Sequence, residues 1–455
     1  MVAFMEKKRV AIIGGGPKGV AIAAKAHVLR MLGKIDIEVS IFEEHGIAAN
    51  WDGTNGYTDG NQRLGTPPEK DIGYPYKSVF GENVSSTLYD YSWASYLVAN
   101  GSFGRYVDRG KPHPNHKEWA SYLKWVASKS GISFRLERVV EFGPAQSSSF
   151  YVQSIRERAI KRDVFDGLII TGPGRPIKVA GSDHEWNENI VDGRVFWQRL
   201  GVFSQLSDAR VAIIGTGETA AGIAVTLAQR VPNIHIDIIN RHGTLYTRGE
   251  SFHENSLYTD SERWRELEDV DREDFIRRTD RGVFSVEAKK IIDQATNIEI
   301  LTGNVTNIEQ HGRVVEVYIE RRSNKKTYSY DKVIVAIGFD PLSPLELLSR
   351  TSRQLPRIGA NSRKLLDKHI RQCIDFHFRI PIPFDRTEVP FSNCHVPNLG
   401  ALAQGPGFPN LSCLGTLSDR VLSAYLDPEN DDWFCRPSIE DVAFQQPNSE
   451  DGSTG

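Results

Sequence analysis

The sequence predicts an α/β protein with two Rossmann-like dinucleotide-binding domains and a small, mostly helical substrate region. Two observations predict this fold: a buried strand runs into a glycine-rich turn and a helix at residues 10–30, and the same arrangement returns at 211–230. A third observation is that the strand after the first turn ends in acidic residues. Strands rich in β-branched residues that alternate with helices are typical of parallel sheets. The chain is therefore organised around two nucleotide sites.

The first glycine turn follows strand 10–13 and reads Gly14-Gly15-Gly16-Pro17-Lys18-Gly19. This G-x-G-x-x-G spacing lets the backbone approach a pyrophosphate, which then lies on the N-terminus of the helix predicted at 20–30. Strand 37–44 follows, and its Glu43 lies 24 residues after Gly19, where a carboxylate typically accepts from a ribose hydroxyl. The residues predicted to bind the first dinucleotide are Gly14, Gly16, Pro17, Gly19 and Glu43.

The second glycine turn begins 201 residues later and reads Gly215-Thr216-Gly217-Glu218-Thr219-Ala220. The strand that follows it ends in Asn240 and Arg241 rather than in an acid. Because an arginine at this place can accept a 2′-phosphate, the second site favours NADPH over NADH. Arg248 and His242 are the alternative phosphate partners. The residues predicted here are Gly215, Gly217, Glu218, Thr219 and Arg241.

Composition limits the function classes. The 455 residues are 40% hydrophobic and 25% charged, with a net charge of −3, which gives no electrostatic reason to expect nucleic acid or an anionic membrane as partner. No apolar run approaches the roughly 20 residues that span a bilayer, and we expect a cytoplasmic protein. The four cysteines form no C-x-x-C pair, so neither a dithiol redox centre nor a metal site is expected.

Two further strand-to-glycine junctions, at 166–174 and at 331–341 with Gly338, indicate where the chain crosses between the nucleotide-binding domains. Gly338 is accordingly a predicted cofactor contact. The predicted organisation is an FAD-binding domain in two parts, 1–205 and 337–427, an inserted NADPH-binding domain, 206–336, that contains a helical substrate segment at about 248–295, and a disordered tail, 428–455.

Two dinucleotide sites in one chain imply electron transfer between two bound nucleotides, usually FAD in the N-terminal site and NADPH in the inserted one. A disulfide reductase would need the missing thiol pair. A Baeyer–Villiger or flavin-containing monooxygenase would carry F-x-G-x-x-x-H before the second glycine turn, where this chain reads WNENIVDGRVFWQRL. An N-hydroxylating flavin monooxygenase needs neither feature.

Five long and unusual stretches carry a resemblance to a known family. They are ANWDGTNGYTDGNQRLGTPPEKDIGYPY at 49–76, YSWASYL at 91–97, TRGESFHENSLYTD at 247–260, RTDRGVFS at 278–285 and AQGPGFPNLSCLGTLSDRVL at 403–422. With them the chain resembles the class B N-hydroxylating flavin monooxygenases of siderophore biosynthesis, above all the mycobactin-type L-lysine N6-hydroxylases. The resemblance extends from residue 10 to about 426.

The resemblance implies that FAD and NADPH are the cofactors and that the side-chain amine of L-lysine is hydroxylated through a C4a-hydroperoxyflavin. It implies that Lys70 meets the substrate carboxylate and that Asn255 fixes the α-amino end. Because the cofactor carries the chemistry, no catalytic acid or base is expected. The remaining implied cofactor contacts are Trp51, Gln62, Pro409, Asn410, Leu411 and Ser412.

The chain departs from the ornithine-specific members, which carry M-Q-x-x-F-L-K-D-L where residues 61–71 read NQRLGTPPEKD. They also carry a second substrate asparagine, which is absent from 281–285, so substrate orientation can differ. The alternatives are an N-hydroxylase of ornithine or of a diamine, and a dinucleotide-binding redox sensor without activity. A small amine and O2 are the expected reactants, and a homodimer or homotetramer is the assembly expected from the family.

Overall fold

The computed structural model describes residues 7–55, 57–145, 149–322, 324–348, 374–380 and 393–426. The predicted tail at 428–455 lies outside these residues. The strands are β1 Lys8–Ile13, β2 Ile37–Glu43, β3 Ser133–Leu136, β4 Arg138–Pro144, β5 Phe150–Arg156, β6 Ala159–Phe165, β7 Gly167–Ile170, β8 Arg175–Pro176, β9 Ile190–Asp192, β10 Arg210–Ile214, β11 His235–Asn240, β12 Ile298–Thr302, β13 Asn304–His311, β14 Val314–Arg321, β15 Asn324–Tyr330, β16 Lys332–Val335, β17 Phe339–Asp340 and β18 Cys394–His395.

A helix follows β1 and another follows β10, as the sequence predicts, and two further groups of consecutive helices follow β2 and β11. The helices are α1 Pro17–Met31, α2 Glu82–Tyr89, α3 Trp93–Ala99, α4 Phe103–Asp108, α5 His116–Lys129, α6 Gly193–Gln198, α7 Leu200–Phe203, α8 Glu218–Arg230, α9 Phe252–Leu257, α10 Ser261–Arg265, α11 Asp269–Thr279, α12 Val286–Gln294, α13 Ala401–Gln404 and α14 Leu414–Ser423. Two short 3-10 helices span Ser343–Leu347 and Pro397–Leu399. None of the described helices has the length and apolar composition needed to cross a membrane.

The first parallel sheet has the order β18-β7-β1-β2-β3, with β1 at its centre. Val10, Ala11 and Ile12 of β1 are fully buried, as expected of a strand that is covered on both faces of a parallel sheet. Helix α1 packs against α14, and a buried ion pair joins Lys25 of α1 to Asp419 of α14 at 2.6 Å. The glycine turn between β1 and α1 therefore lies on a rigid frame.

The second parallel sheet has the order β12-β11-β10-β16-β9, with β10 at its centre. Because β9 pairs with β16, residues 190–192 belong to this sheet, which begins before the predicted domain boundary at 206. A three-residue edge strand has too little periodicity to be recognised in the sequence. β18 pairs with β7, so the chain returns to the first sheet after the second is complete.

Three antiparallel elements accompany the parallel sheets: β4-β5-β6, β13-β14-β15 and the short pair β8-β17. The segment between β2 and α2 contains neither helix nor strand among its described residues, in agreement with its glycine and proline content. The observed mixture of parallel sheets and helices confirms the predicted α/β class.

Candidate functional site

The first glycine turn combines two glycines that packing requires with one that faces open space. A Cβ atom on Gly14 would lie 2.5 Å from Thr171 Oγ1, and one on Gly19 would lie 2.2 Å from the Gly14 carbonyl oxygen. By contrast, no atom lies within 4 Å of a Cβ built on Gly16, which is the N-cap of α1. Pro17 begins the helix, where its missing N–H costs nothing. The open space beside an N-terminus suits a pyrophosphate.

Glu43 ends β2 beside this turn. Its Oε2 accepts from the Gly15 backbone N–H at 3.0 Å, and its Oε1 accepts from the His45 N–H at 3.3 Å. The carboxylate is thus held at the turn from which a ribose hydroxyl could be reached. Its contact with the ribose stays a prediction.

Trp51 and Gln62 lie in the long loop after β2. The Trp51 ring packs edge-to-face on His116 with 4.8 Å between centroids, and burial lowers the pKa of His116 to about 4. Gln62 accepts through its carbonyl oxygen from the His116 N–H at 2.9 Å, and its side chain faces Gly222 of α8. Gln62 therefore lies between the two nucleotide-binding units.

A second contact joins the same loop to the second nucleotide-binding unit. Asp59, in the same loop, forms an ion pair of 2.8 Å with Arg230 at the end of α8. Asp59 also accepts from Gln62 Nε2 at 2.7 Å. The loop is thus fastened to the second unit by charge as well as by packing.

The second glycine turn repeats the geometry of the first. A Cβ on Gly215 would lie 2.3 Å from the Ala336 carbonyl oxygen, whereas Gly217, the N-cap of α8, has nothing nearer than Gly282 Cα at 4.0 Å. Glu218 Oε2 accepts from the Ser285 N–H at 3.0 Å, and burial raises the pKa of this carboxyl. The turn is thereby tied to the start of α12.

Thr219 and Gly338 come together at the same end of the second sheet. With Gly193, Ala336 and Phe339 they line a small cavity behind the turn. The Thr219 methyl group would lie 2.6 Å from a Cβ on Gly193, so close packing fixes this threonine. Their contact with a nucleotide stays a prediction.

Arg241 follows β11 and is exposed. Its Nε donates to His242 Nε2 at 3.1 Å, and burial together with the charges of Arg241 and Arg277 lowers the pKa of His242. Several basic groups therefore meet at the end of the strand where a 2′-phosphate was predicted. The other alternative, Arg248, lies with Lys70 and Ser412 instead.

The structure brings Lys70 and Asn255 together, although 185 residues separate them. Lys70 Nζ donates to Asn255 Oδ1 at 2.9 Å, and Asn255 Nδ2 donates to the Glu250 carbonyl oxygen at 2.8 Å. A capping box between Ser251 and Glu254 starts α9 and so fixes the position of Asn255. Burial lowers the pKa of Lys70, and the charge of Arg248 lowers it further.

The segment 409–412 connects the first turn to this helical region. The Pro409 carbonyl oxygen accepts from Lys18 Nζ at 2.5 Å, and Asn410 Nδ2 donates to Asp280 Oδ1 at 3.0 Å. Ser412 Oγ accepts from the Arg248 guanidinium at 2.9 Å. Leu411 packs against the core of the first unit.

Two polar residues at this junction were not predicted as cofactor or substrate contacts. Lys18, inside the first motif, donates to Asn398 Oδ1 at 2.7 Å as well as to Pro409, and burial lowers its pKa to about 7. A lysine within a glycine turn was the available signal. Asp280 is buried between Arg248, Arg281 and Asn410, and nothing in the local sequence distinguishes it from a solvated helix end.

Comparison with known proteins places this arrangement in a family. The family model described as L-lysine 6-monooxygenase/L-ornithine 5-monooxygenase matches residues 87–341. The L-lysine N6-monooxygenase MbtG of Mycolicibacterium paratuberculosis is 38% identical over 430 residues, 92% of this chain and 96% of that protein. The chain belongs to the L-lysine 6-monooxygenase/L-ornithine 5-monooxygenase family.

Solved structures of the monooxygenase family agree. The lysine monooxygenase NbtG of Nocardia farcinica superposes with a TM-score of 0.76 at 35% identity, covering 91% of this chain and 99% of that one. The ornithine N-hydroxylase KtzI of Kutzneria sp. 744, solved with reduced FAD, NADP+ and L-ornithine, superposes with a TM-score of 0.70 at 17% identity, covering 92% and 99%. The second match shows the shared fold, and the first confirms the resemblance found in the sequence.

Proposed function

We propose that this chain is an FAD- and NADPH-dependent monooxygenase that hydroxylates the side-chain amine of free L-lysine. The observation that carries the proposal is the hydrogen bond between Lys70 and Asn255, the two residues assigned to the amino-acid substrate, which lie 185 residues apart in the chain. Relatives of 38% and 35% identity that are named for lysine support the choice of substrate.

The two glycine turns fit two dinucleotides. FAD is assigned to the first turn, where Gly16 leaves room for a pyrophosphate and Glu43 stands beside the turn. NADPH is assigned to the second, where Gly217 faces space and Arg241 carries the charge for a 2′-phosphate. FAD and NADPH held at these two turns would supply the reducing equivalents and the activation of O2 by which one oxygen atom is added to the amine and the other is released as water.

The protein's own task is to present a neutral amine. A free lysine amine has a pKa of about 10.4 and is almost fully protonated at neutral pH. A partly buried site lowers such a pKa, as it does for Lys70, and favours the nucleophilic form of the substrate amine. Lys70 supplies a cation for the substrate carboxylate, and Asn255 supplies an amide that orients the other end.

The same site distinguishes L-lysine hydroxylation from three alternatives: a diamine substrate, ornithine as substrate, and a redox sensor without activity. A diamine has no carboxylate for Lys70, and ornithine is shorter than lysine by one methylene. A hydrophobic pocket separates substrates that differ by one methylene by about 1–3 kcal/mol, but here the chain length also sets whether the amine reaches the reacting oxygen. A redox sensor without activity would need no amine site at all.

An amine panel tests the proposal. The purified, flavin-loaded protein is given NADPH, O2 and, in turn, L-lysine, L-ornithine, cadaverine and putrescine, and products are examined by mass spectrometry for the gain of one oxygen. L-lysine is expected to give the coupled product, and ornithine mainly uncoupled NADPH oxidation. A better coupled product from ornithine would refute the lysine assignment, and no oxygenated product from any amine would refute the monooxygenase itself.

A matched pair of variants tests the site. Lys70→Ala is expected to raise the KM for lysine about 10- to 100-fold, because charged hydrogen bonds contribute about 1.5–3 kcal/mol, and to leave flavin reduction by NADPH nearly unchanged. Lys77→Ala, an exposed lysine of the same loop, is the control. An unchanged KM in Lys70→Ala would remove Lys70 from the substrate site.

We also propose a cytoplasmic location and a homodimer or homotetramer, both of which stay predictions. The hydroxylamine product would serve hydroxamate formation in a siderophore-type pathway, as the family resemblance implies. Size measurement of the loaded protein by light scattering tests the assembly.

A further inference from the structure

Arg248 lies close to the residues assigned to the amino-acid substrate, and the proposed function gives it no role. Its side chain is 17% exposed, and its guanidinium carbon lies 4.4 Å from the centroid of the Tyr258 ring. The backbone N–H of Arg248 donates to the Phe284 carbonyl oxygen at 2.9 Å, which fixes the start of its side chain. The guanidinium is therefore held in one place.

Most of the hydrogen-bonding capacity of Arg248 is unused within the protein. A guanidinium has five N–H donors, and in the described part of the chain its side chain makes one hydrogen bond, from Nη2 to Ser412 Oγ at 2.9 Å. The carboxylate of Asp280 lies 3.7 Å away, beyond hydrogen-bond length, and has nearer partners in Arg281 at 3.2 Å and Asn410 at 3.0 Å. Neutralising Asp280 therefore does not account for Arg248.

Lys70 and Arg248 both contact α9. Lys70 donates to Asn255 of this helix at 2.9 Å, and the Arg248 guanidinium stacks on Tyr258, its C-cap residue. The charge of Arg248 also lowers the pKa of Lys70. Two neighbouring cations repel each other, and an anion that contacts both removes the repulsion. Lys70 also donates to the neutral Asn255 rather than to a carboxylate.

We propose that Arg248 is a second cation for the α-carboxylate of the amino-acid substrate, beside Lys70, and that it strengthens the preference for an amino acid over a diamine. The inference rests on the proposed function and names the anion subsite within it. A guanidinium presents two parallel N–H groups that match the two oxygens of a carboxylate, and the Lys70 ammonium adds a point charge from the side. Asn255, bonded to Lys70, then lies next to the α-carbon.

A phosphate group of the nicotinamide cofactor is the other anion that could meet Arg248. The cofactor phosphate is assigned to the basic groups at the end of β11, where Arg241 donates to His242 and the charges of Arg241 and Arg277 both lower the pKa of His242. Arg248 instead contacts Ser412 and Tyr258, beside the hydrogen bond between Lys70 and Asn255. These contacts favour the substrate carboxylate, and the experiment below separates the two anions.

The test compares Arg248→Gln and Arg248→Lys with the control Arg263→Gln. Arg263 is a good match because it also donates to a serine hydroxyl, Ser256 Oγ, at 2.9 Å, but on the exposed side of α9. For each protein we would measure the dissociation constant of L-lysine, the kinetics with L-lysine, L-lysinamide and cadaverine, the dissociation constant of NADPH, the flavin content and the melting temperature.

Arg248→Gln is expected to raise the dissociation constant and KM of L-lysine about 10- to 100-fold while kcat falls less than 3-fold, and Arg248→Lys is expected to recover part of the loss. The KM values for L-lysinamide and cadaverine, which lack the carboxylate, are expected to change less than 3-fold. The preference of the variant for lysine over cadaverine should therefore fall by the same factor as its affinity for lysine. Arg263→Gln should match the wild type.

Three outcomes would overturn the inference. The first is an unchanged preference for lysine over cadaverine in Arg248→Gln. The second is a rise in the NADPH dissociation constant without a rise in that of lysine, which would assign Arg248 to a phosphate. The third is equally tight binding of L-lysinamide and L-lysine by the wild type, a measurement that does not depend on whether a variant folds. If the wild type hydroxylates no lysine, the proposed function fails first, and the binding constants still decide whether Arg248 meets the carboxylate.

Discussion

The substitution Gly16→Val separates folding from cofactor binding more cleanly than any other change at the first turn. Gly16 has φ −81° and ψ −172°, a conformation that any L-residue adopts, and no atom lies within 4 Å of a Cβ built there. Because Gly16 is an N-cap and valine is a poorer N-cap residue than glycine, the folded chain without cofactor should accept valine at a cost of about 1 kcal/mol.

Binding should suffer instead, because the valine side chain fills the space through which a pyrophosphate reaches the first N–H groups of α1. If two charge-assisted hydrogen bonds are lost, each contributing about 1.5–3 kcal/mol, the binding free energy of FAD weakens by about 3–6 kcal/mol, and its dissociation constant rises roughly 10²- to 10⁴-fold. The purified variant should be colourless, with a melting temperature within about 4 °C of that of the wild-type apoprotein.

Two companion variants make the result decisive. Gly201→Val, also with no atom within 4 Å of the added Cβ but on α7, should keep its flavin. Gly19→Val should not fold, because its Cβ would lie 2.2 Å from the Gly14 carbonyl oxygen. Full flavin content in Gly16→Val would refute the assignment of FAD to this turn, and a melting temperature well below that of the wild-type apoprotein would show that Gly16 serves the fold.

Three further predictions follow from the described contacts. Arg241→Ala should raise the KM for NADPH about 10-fold or more and leave that for NADH unchanged, since a charge-assisted phosphate contact is lost; equal losses in steady-state assays would exclude Arg241. Because the pKa of His116 falls from 6.5 to about 4 on folding, the unfolded chain binds a proton first as the pH drops, and about 3 kcal/mol of stability should be lost between pH 6.5 and 4. Denaturant unfolding of His116→Gln, with the exposed His311→Gln as control, should show a smaller loss if that reasoning holds. Lys25→Met should cost about 3–5 kcal/mol by stranding the buried Asp419 carboxylate, and thermal melting of Lys25→Met/Asp419→Leu should recover part of it; no recovery would mean that the pair is not coupled.

Local signals in the sequence predicted the fold class and both nucleotide turns. The turns at 14–19 and 215–220 each join a buried strand to a helix, and the crowded Gly14, Gly19 and Gly215 lie inside these predicted motifs. Such signals are readable because turn geometry and strand burial depend on residues that are adjacent in the chain. The α/β class was confirmed for this reason, whereas the three-residue strand 190–192 was too short to be seen.

The substrate site depends on contacts that no local pattern contains. Lys70 and Asn255 were placed together by resemblance, and their hydrogen bond spans 185 residues. Their roles in substrate binding stay predictions. Arg248 appeared in the sequence as an alternative phosphate ligand, because an arginine after a strand end has the same local surroundings whether it faces a nucleotide or an amino acid. Its neighbours, Ser412 and Lys70, come from two other segments of the chain.

The residues of the proposed substrate site come from both nucleotide-binding units, so substrate specificity depends on the contact between the units. The loop that carries Lys70 and the segment that ends in Ser412 pack with the first nucleotide-binding unit, whereas Arg248 and Asn255 follow the second glycine turn. The proposed carboxylate subsite is therefore complete only when the two units are in contact, as the ion pair between Asp59 and Arg230 shows them to be. An amino acid that joins Lys70 to Arg248 would thus stabilise the contact between the two units. A diamine, which offers no carboxylate to join the two cations, would lack that contribution.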